Sequence, residues 1–400
     1  MLRRRGVAAS AILLNPEHTH AVALAAFRSA GGRVVQDLPA TTDLVIDGVV
    51  GISGQGPLRP AAAAVFASVA AAGIPVVAVD IPSGIDVATG AISGPAVRAA
   101  LTVTFGGLKP VHALADCGRV ELVDIGLDLP NTDLMAFDAA DVTAHWPMPG
   151  PHDDKYSQGV VGILAGSAIY PGAAILCTGA AVAATSGMVR YAGAAAAEVV
   201  SHWPEVVIAP SALAAGRVQA WVVGPGLGTD ETALMAMTFA LNSDLPVIVD
   251  ADGLTVLAAH PHLVTRRAAP TVLTPHAGEY ARLAGGPLGE DRVAAARGLA
   301  DAYGATVLLK GNVTVIAGSD ATYLNQAGGS WAATAGSGDV LSGIVGALLA
   351  AGLPPVEAAA AAAFVHARAA NASAADPGPV AVPTSASRIL THIRHAIANL

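Results

Sequence analysis

The segment Ala335-Gly336-Ser337-Gly338-Asp339 runs straight into Val340-Leu341-Ser342-Gly343. Glycines there let backbone amides approach a phosphate or a developing anion, and the apolar helix that follows presents its N-terminus to the same place. An aspartate at that point has the chemistry of a base toward a hydroxyl. The competing reading is a cap on a helix expected over 340–351. Spacing alone does not separate the two.

Four other polar, glycine-bearing loops each follow a short apolar run. Gly224-Pro225-Gly226-Leu227-Gly228 closes a strand and opens a helix. Asp250-Ala251-Asp252-Gly253 reads by default as a capped turn. Thr274-Pro275-His276-Ala277-Gly278-Glu279 offers His276 either to a ligand or to a loop carbonyl. Lys310-Gly311-Asn312-Val313-Thr314 lies between two strands, where a hairpin would turn Lys310 and Thr314 toward phosphates. Each alone is an ordinary loop. Five in series at strand ends point to one crevice, since ligands on open α/β sheets sit beyond the carboxyl ends of the strands.

The elements that must carry these loops are short. Strands are expected over 160–165, 220–224, 247–250, 271–274, 306–310 and 313–317, with an almost wholly helical stretch from Asp339 to Leu400. In the first third, runs at 7–14, 44–50, 76–80 and 101–105 alternate with helical stretches such as 58–72. Strand–helix alternation implies a parallel sheet covered on both faces. Asp47 and Asp80 close two of those runs and are expected at one crevice. Residues 129–156 carry few strand signals and hold the proline-rich Trp146–Lys155 stretch, which reads as a link. Two α/β domains are expected, 1–140 and 141–400.

Bulk properties narrow the classes. The chain has 400 residues, 53% hydrophobic and 13% charged, with 44 glycines, 26 prolines and a net charge of −9. An acidic balance argues against a nucleic-acid groove. Cys117 and Cys177 have no CxxC partner, so neither a zinc site nor a disulfide framework is expected, and a reducing cytoplasmic setting fits. Arg3–Arg5 before a short apolar run outlines a signal peptide, but no cleavage site follows and Asn15-Pro16-Glu17 ends the run as a turn. The uncharged stretch 61–79 is broken by Gly73-Ile74-Pro75 and reads as helix, turn and strand rather than a membrane span.

The loop order GPGLG, DADG, TPHAGE, KGNVT, GSGD resembles the ribokinase-like superfamily. With Lys155-Tyr156-Ser157-Gln158-Gly159, Gly166-Ser167 and Tyr170-Pro171-Gly172-Ala173, it resembles the ADP-dependent NAD(P)H-hydrate dehydratase family from about Lys155 to Ala370. The resemblance implies a ribokinase-like domain in which Ala173, Gly226 or Gly228, His276 and Asp339 contact hydrated NADH or NADPH. Lys310, Gly311, Asn312, Val313 and Thr314, with Gly338, would hold ADP, with Mg2+ beside the phosphates. Bacterial members use ADP where eukaryotic ones use ATP.

Asp47-Gly48-Val49-Val50, Val79-Asp80-Ile81-Pro82-Ser83-Gly84 and Thr104-Phe105-Gly106-Gly107-Leu108-Lys109-Pro110 resemble the NAD(P)H-hydrate epimerase domain. That resemblance implies a Rossmann-like parallel sheet with Asp47 and Ser83 on K+. It puts Gly51-Ile52-Ser53-Gly54-Gln55-Gly56-Pro57 and Asp80 on the substrate, with Asp80 as acid/base. The family's GNNGGD loop would precede Met1 and has no counterpart here. Two explanations compete: the chain's start is assigned too late, or the domain is truncated; in the second case part of its sheet is expected to be uncovered and its epimerase activity weak or lost. A homo-oligomer is expected from resemblance. Two alternatives are a ribokinase-like kinase acting on a vitamin or sugar hydroxyl, and a non-catalytic nucleotide-binding module.

Overall fold

In the computed structural model, residues 5–400 are described except 53, 55, 186 and 327–329. Ser53 and Gln55, both expected on substrate, therefore lie outside the described residues. The chain divides into two compact units, Met1–Asn131 and Thr132–Leu400.

In the amino-terminal unit, β1 (Ser10–Ile12) pairs parallel with β2 (Arg33–Val35) across α1 (Ala21–Ser29). β3 (Val45–Asp47), α2 (Pro60–Ala71), β4 (Val76–Val79), β5 (Leu101–Phe105), α3 (Val111–Leu114) and β6 (Arg119–Val123) come next. Strands β3-β4-β5-β6 form one parallel sheet in that order. On one face Ala78, Thr102 and Thr104 are buried. On the other, Ile46, Val79, Phe105 and Val123 are exposed, unlike the usual parallel sheet. Asp47 and Asp80 both sit at carboxyl ends of neighbouring strands, as the alternation pattern predicts.

The carboxyl-terminal unit begins with β7 (Leu134–Ala136) and α4 (Ala139–His145). The expected boundary at 140/141 thus falls inside a helix. β7 belongs to the carboxyl-terminal unit because it pairs with β16, an edge contact that a three-residue run does not announce. Then come β8 (Val160–Leu164), α5 (Pro171–Ala184), β9 (Met188–Tyr191), α6 (Ala196–His202), β10 (Val207–Ile208), β11 (Ala220–Val223), α7 (Glu231–Leu241), β12 (Val247–Val249), α8 (Asp252–Ala259), α9 (His262–Thr265) and β13 (Thr271–Leu273). The remainder is α10 (Ala277–Ala284), α11 (Arg292–Tyr303), β14 (Thr306–Leu309), β15 (Val313–Ala317), β16 (Thr322–Gln326), α12 (Ser337–Ala350), α13 (Pro355–Ala375) and α14 (Ala386–Ala398).

Ten strands make one sheet in the order β10-β9-β8-β11-β12-β13-β14-β15-β16-β7. It is parallel from β10 to β14, and β15 runs antiparallel to both neighbours. The loops after β8, β11, β12, β13 and β14 therefore all leave one edge. Strands β8, β11 and β12 are buried at every position, which is why they read as unbroken apolar runs.

Alanine lets helices come close. The run Ala358–Ala363 of α13 is buried, and α12 packs on α5 so tightly that a Cβ at Gly343 would lie 2.1 Å from the Cys177 carbonyl oxygen. Ile344 and Leu348 are fully buried between these layers, each contributing about 2 kcal/mol of apolar burial. Among the described residues no helix is long and apolar enough to cross a membrane.

Candidate functional site

The carboxyl edge of the large sheet gathers the five expected loops. Helix α12 starts at Ser337, three residues earlier than expected, and its N-cap is Gly336 in a left-handed conformation (φ 80°). Asp339 is therefore the third residue of the helix, and the capping role falls to a residue with no side chain. That removes the competing reading of Asp339 as the cap. Its carboxyl pKa is pushed up to about 7. Burial is the largest cause, followed by the neighbouring Asp250 carboxylate, with Lys310 opposing and Asp252 and Glu279 adding.

Lys310 leaves β14 and turns back to these acids. Its Nζ is 2.8 Å from Asp250 Oδ1 and 3.6 Å from Glu279 Oε2. Burial pulls the Lys310 pKa down, but Asp250, Glu279 and Asp339 more than offset it, and the net shift is upward. Asp250 is buried, and its other oxygen accepts from Ser342 Oγ at 2.7 Å. Burial raises its pKa, Lys310 and the hydroxyls lower it further, and the carboxylate stays ionised. A Cβ at Gly338 would lie 3.4 Å from Lys310 Nζ and 3.6 Å from Asp250 Oδ2, so a methyl group there would sit in ordinary contact with this pair.

Of the residues expected on the substrate, Ala173 and Gly226 are brought together. Gly226 has φ 60°, and a Cβ there would come within 2.6 Å of Ala173 Cβ at the start of α5. Two residues expected on one substrate are thus in direct apposition. The expected helix opening at Gly228 is delayed: the loop continues to Asp230, whose side chain caps α7 through Ala233 N. Gly228 N donates to Asp252 Oδ2 at 2.9 Å, joining this loop to the one after β12. His276 is exposed and caps α10, its Nδ1 accepting from Gly278 N and Glu279 N, while Glu279 Oε2 accepts from His276 N. Glu279 in turn reaches Lys310.

The hairpin β14–β15 is pinned by a residue the sequence did not flag. Arg292 Nη2 donates to the Lys310 carbonyl at 3.0 Å, and a Cβ at Gly311 would collide with that guanidinium. Asn312 is exposed at the turn, and Val313 and Thr314 open β15 half-buried. A buried contact also ties the first turn of α12 to α13: Ser337 Oγ lies 3.0 Å from His366 Nε2, and burial holds the His366 pKa down at about 4.

A second cluster lies in the amino-terminal unit. Asp47 is fully buried. Its Oδ2 accepts from Ser83 N and its Oδ1 from Ser83 Oγ, both at 2.8 Å, and Val49 N also donates to Oδ1. Asp80 has φ 72° and receives Lys109 Nζ at 2.6 Å and Thr104 Oγ1 at 2.9 Å, both on Oδ1. Burial raises the Asp80 pKa, but the bonds from Lys109 and Thr104 more than offset it and the net shift is downward. Gly51 approaches the same carboxylate, a Cβ there lying 4.0 Å from Oδ2. Ile52, Gly54, Gly56 and Pro57 follow in the same loop, and Val50 N donates to Ser83 Oγ, anchoring its start.

A family model described as NAD(P)H-hydrate dehydratase matches residues 161–392, and one described as YjeF-related protein N-terminus matches residues 1–111. The bifunctional NAD(P)H-hydrate repair enzyme Nnr of Mycobacterium leprae is 74% identical over 400 residues, covering 100% of this chain and 85% of that one. The chain belongs to the bifunctional NAD(P)H-hydrate repair enzyme family. The Mycobacterium tuberculosis (strain CDC 1551 / Oshkosh) enzyme of the same description is 76% identical with the same coverage. A solved structure of the ADP/ATP-dependent NAD(P)H-hydrate dehydratase from Bacillus subtilis, co-crystallised with ATP/Mg2+, has a TM-score of 0.57 and 27% identity. It covers 67% of this chain and 100% of that one. The family assignment joins both clusters: the Asp339 site lies inside the dehydratase match and the Asp80 site inside the amino-terminal match.

Proposed function

We propose that the carboxyl-terminal domain dehydrates the S epimer of hydrated NADH or NADPH, using ADP. The observation that carries this reading is Asp339, a carboxylate poised near neutrality in the first turn of α12, with Lys310 and Gly338 beside it. The substrate bears a hydroxyl on the saturated nicotinamide ring, and hydroxide leaves poorly. Asp339 takes the hydroxyl proton, and the oxygen so exposed accepts the β-phosphoryl group as the α–β phosphoanhydride bond of ADP breaks and AMP leaves. The ring carbon–oxygen bond then breaks with phosphate as leaving group. A proton lost from the adjacent ring carbon restores the double bond of NAD(P)H.

Positioning and charge do most of the work in such a transfer. The Gly338 and Asp339 amides and the Lys310 ammonium face the place where phosphoryl charge accumulates. The Lys310–Thr314 hairpin is the proposed seat of the nucleotide. Ala173, Gly226, Gly228 and His276 are the proposed contacts to the hydrate. Magnesium characteristically keeps several waters and takes one or two carboxylates plus phosphates. Asp252 and Glu279 suit that role, each with one oxygen bonded to a backbone N–H. The ion would neutralise phosphate charge.

Epimerisation of the R and S hydrates belongs to the amino-terminal domain in this reading, with Asp80 and Gly51–Pro57 at the substrate. Potassium at Asp47 and Ser83 has less support: their polar atoms are largely occupied by each other and by Val49 and Val50 amides. No step is routed through that ion. A cytoplasmic homo-oligomer is the proposed setting.

The test mixes the protein with chemically hydrated NADH, magnesium, and ADP or ATP, and follows the near-ultraviolet absorbance of NADH. Recovery with ADP supports the dehydratase. No recovery with either nucleotide, alongside turnover of another hydroxylated small molecule, would establish a ribokinase-like kinase instead.

A further inference from the structure

The Asp80 cluster is more elaborate than an ion pair requires. Asp80 follows β4 in a left-handed conformation that costs a non-glycine residue roughly 1–2 kcal/mol. The backbone there is fixed from both sides. Asp80 N donates to Val103 O at 2.8 Å, and the Asp80 carbonyl accepts from His112 Nε2 at 2.8 Å. His112 Nδ1 accepts from Lys109 N, which places the ring proton on Nε2. One histidine therefore holds the backbone of both Asp80 and Lys109.

The side chains are equally constrained. Lys109 Nζ donates to Asp80 Oδ1 (2.6 Å), Thr104 Oγ1 (2.7 Å) and Phe105 O (3.1 Å), which accounts for its three protons. All bonds from described residues to the Asp80 carboxylate fall on Oδ1. Oδ2 takes none from any described residue and lies on the Gly51 side. Both side chains retain some exposure, 16% for Lys109 and 15% for Asp80. A fixed ammonium thus lies beside a carboxylate that has one oxygen unbonded by any described residue, and both side chains are partly exposed.

We propose that Asp80 and Lys109 are the two proton-transfer residues of hydrate epimerisation, acting on opposite ends of the bond that breaks. This rests on reading the amino-terminal domain as the epimerase. The hydroxyl-bearing ring carbon of the hydrate is bonded to the ring nitrogen, so it is a hemiaminal. Asp80 Oδ2 removes the hydroxyl proton while the carbon–nitrogen bond breaks. The oxygen's electron pair forms the aldehyde C=O, the bond's pair goes to nitrogen, and Lys109 gives nitrogen a proton. The ion pair becomes a neutral acid and amine. After the aldehyde turns its other face, nitrogen attacks it, its proton returns to Lys109 and the oxygen takes one from Asp80. Nothing is oxidised or reduced, and no further reactant is needed.

The full chain supplies its own assay. A mixed-epimer hydrate with ADP and magnesium is consumed in two phases: direct dehydration of one epimer, then a phase limited by epimerisation. The ratio of the second rate to the first measures epimerisation per unit of working enzyme. K109M and D80N are expected to lower that ratio by about 100-fold or more, or to the spontaneous background. K109R is the deciding variant, because guanidinium keeps the charge and the ion pair but does not release a proton near neutrality. The proposal expects K109R to be as slow as K109M. A K109R ratio within about threefold of wild type, with D80N inactive, would show that Lys109 only holds Asp80 and would overturn the proposal while leaving the epimerase reading intact. A wild-type second phase no faster than background would overturn both.

Discussion

Ser342 Oγ donates to Asp250 Oδ2 at 2.7 Å from one helical turn beyond Asp339, so the second turn of α12 is tied to the same carboxylate that binds Lys310. Asp250 thereby links α12 to the β14–β15 hairpin. Replacing it by Asn removes the charge facing a half-buried lysine; breaking a fully buried pair costs about 3–5 kcal/mol, and solvent at Lys310 brings the loss below that. Asp250 also raises the Asp339 pKa, so its loss moves that pKa downward. Asp250→Asn is expected to lower the denaturation midpoint and to shift the acid limb of the dehydratase pH profile to lower pH. An unchanged limb would separate Asp250 from the base.

In the proposed mechanism the carboxylate form of Asp339 is the base, so dehydratase kcat/KM should rise with pH and level off above about 7. The same shift sets a stability sign. The folded pKa lies above the ordinary 3.8, so the folded protein holds more protons between the two values. Stability from this group is therefore lost as pH rises through that window, and the loss is complete above about 7. At about 1.4 kcal/mol per unit, the ceiling is roughly 4 kcal/mol, with solvent and relaxation reducing it. Asp339→Asn is expected to lower turnover by about 100-fold or more. It should also raise Tm at pH 8 by more than at pH 5. Near wild-type turnover would remove Asp339 from the mechanism.

Two glycines of one motif should fail differently. Gly338 has room for a methyl group at ordinary contact distance, and glycine within a helix is less stable than alanine by roughly 0.5–1 kcal/mol. Gly338→Ala is expected to fold with equal or higher Tm but to weaken nucleotide binding about tenfold or more, because the methyl would occupy the proposed phosphate site beside Lys310. Gly336→Ala meets φ 80° and a contact of 2.6 Å with Leu176 Cδ1, so its expected effect is loss of stability. Calorimetry of ADP binding alongside thermal unfolding distinguishes the two.

The site loops were legible because each is a glycine or charged punctuation after a buried run of three to five apolar residues, as with Lys310 after Thr306–Leu309. Their connections were not. Asp250 reads as a turn residue because its partners lie 60 and 92 positions further on, at Lys310 and Ser342. Arg292 carried no local signal either, since its role appears only when the β14–β15 turn folds over it. Among strands, β9 was hidden by Arg190, which is charged in mid-run but donates to the Ala215 carbonyl. β7 exists only by pairing with β16. In the amino-terminal domain, Asp47 and Asp80 were found from strand ends, whereas Lys109 needed the fold to bring it 29 positions back.

Ala251 stands between Asp250 and Asp252 with φ 51° and ψ −118°, a conformation that an L side chain rarely adopts. Strain at such a point persists only where the surroundings impose it. Here the flanking aspartates impose it, one fixed by Lys310 and Ser342, the other by the Gly228 amide. Ala251→Gly relieves the strain, by roughly 1 kcal/mol, which raises Tm by about 2–4 °C if the backbone stays in place. It also loosens the peptide that sets the separation of the two carboxylates. The expected outcome is therefore a more stable protein with a kcat several-fold lower. A gain in Tm with unchanged kcat would show that the strain serves only the turn, and a fall in Tm would show that the methyl group packs productively despite its backbone.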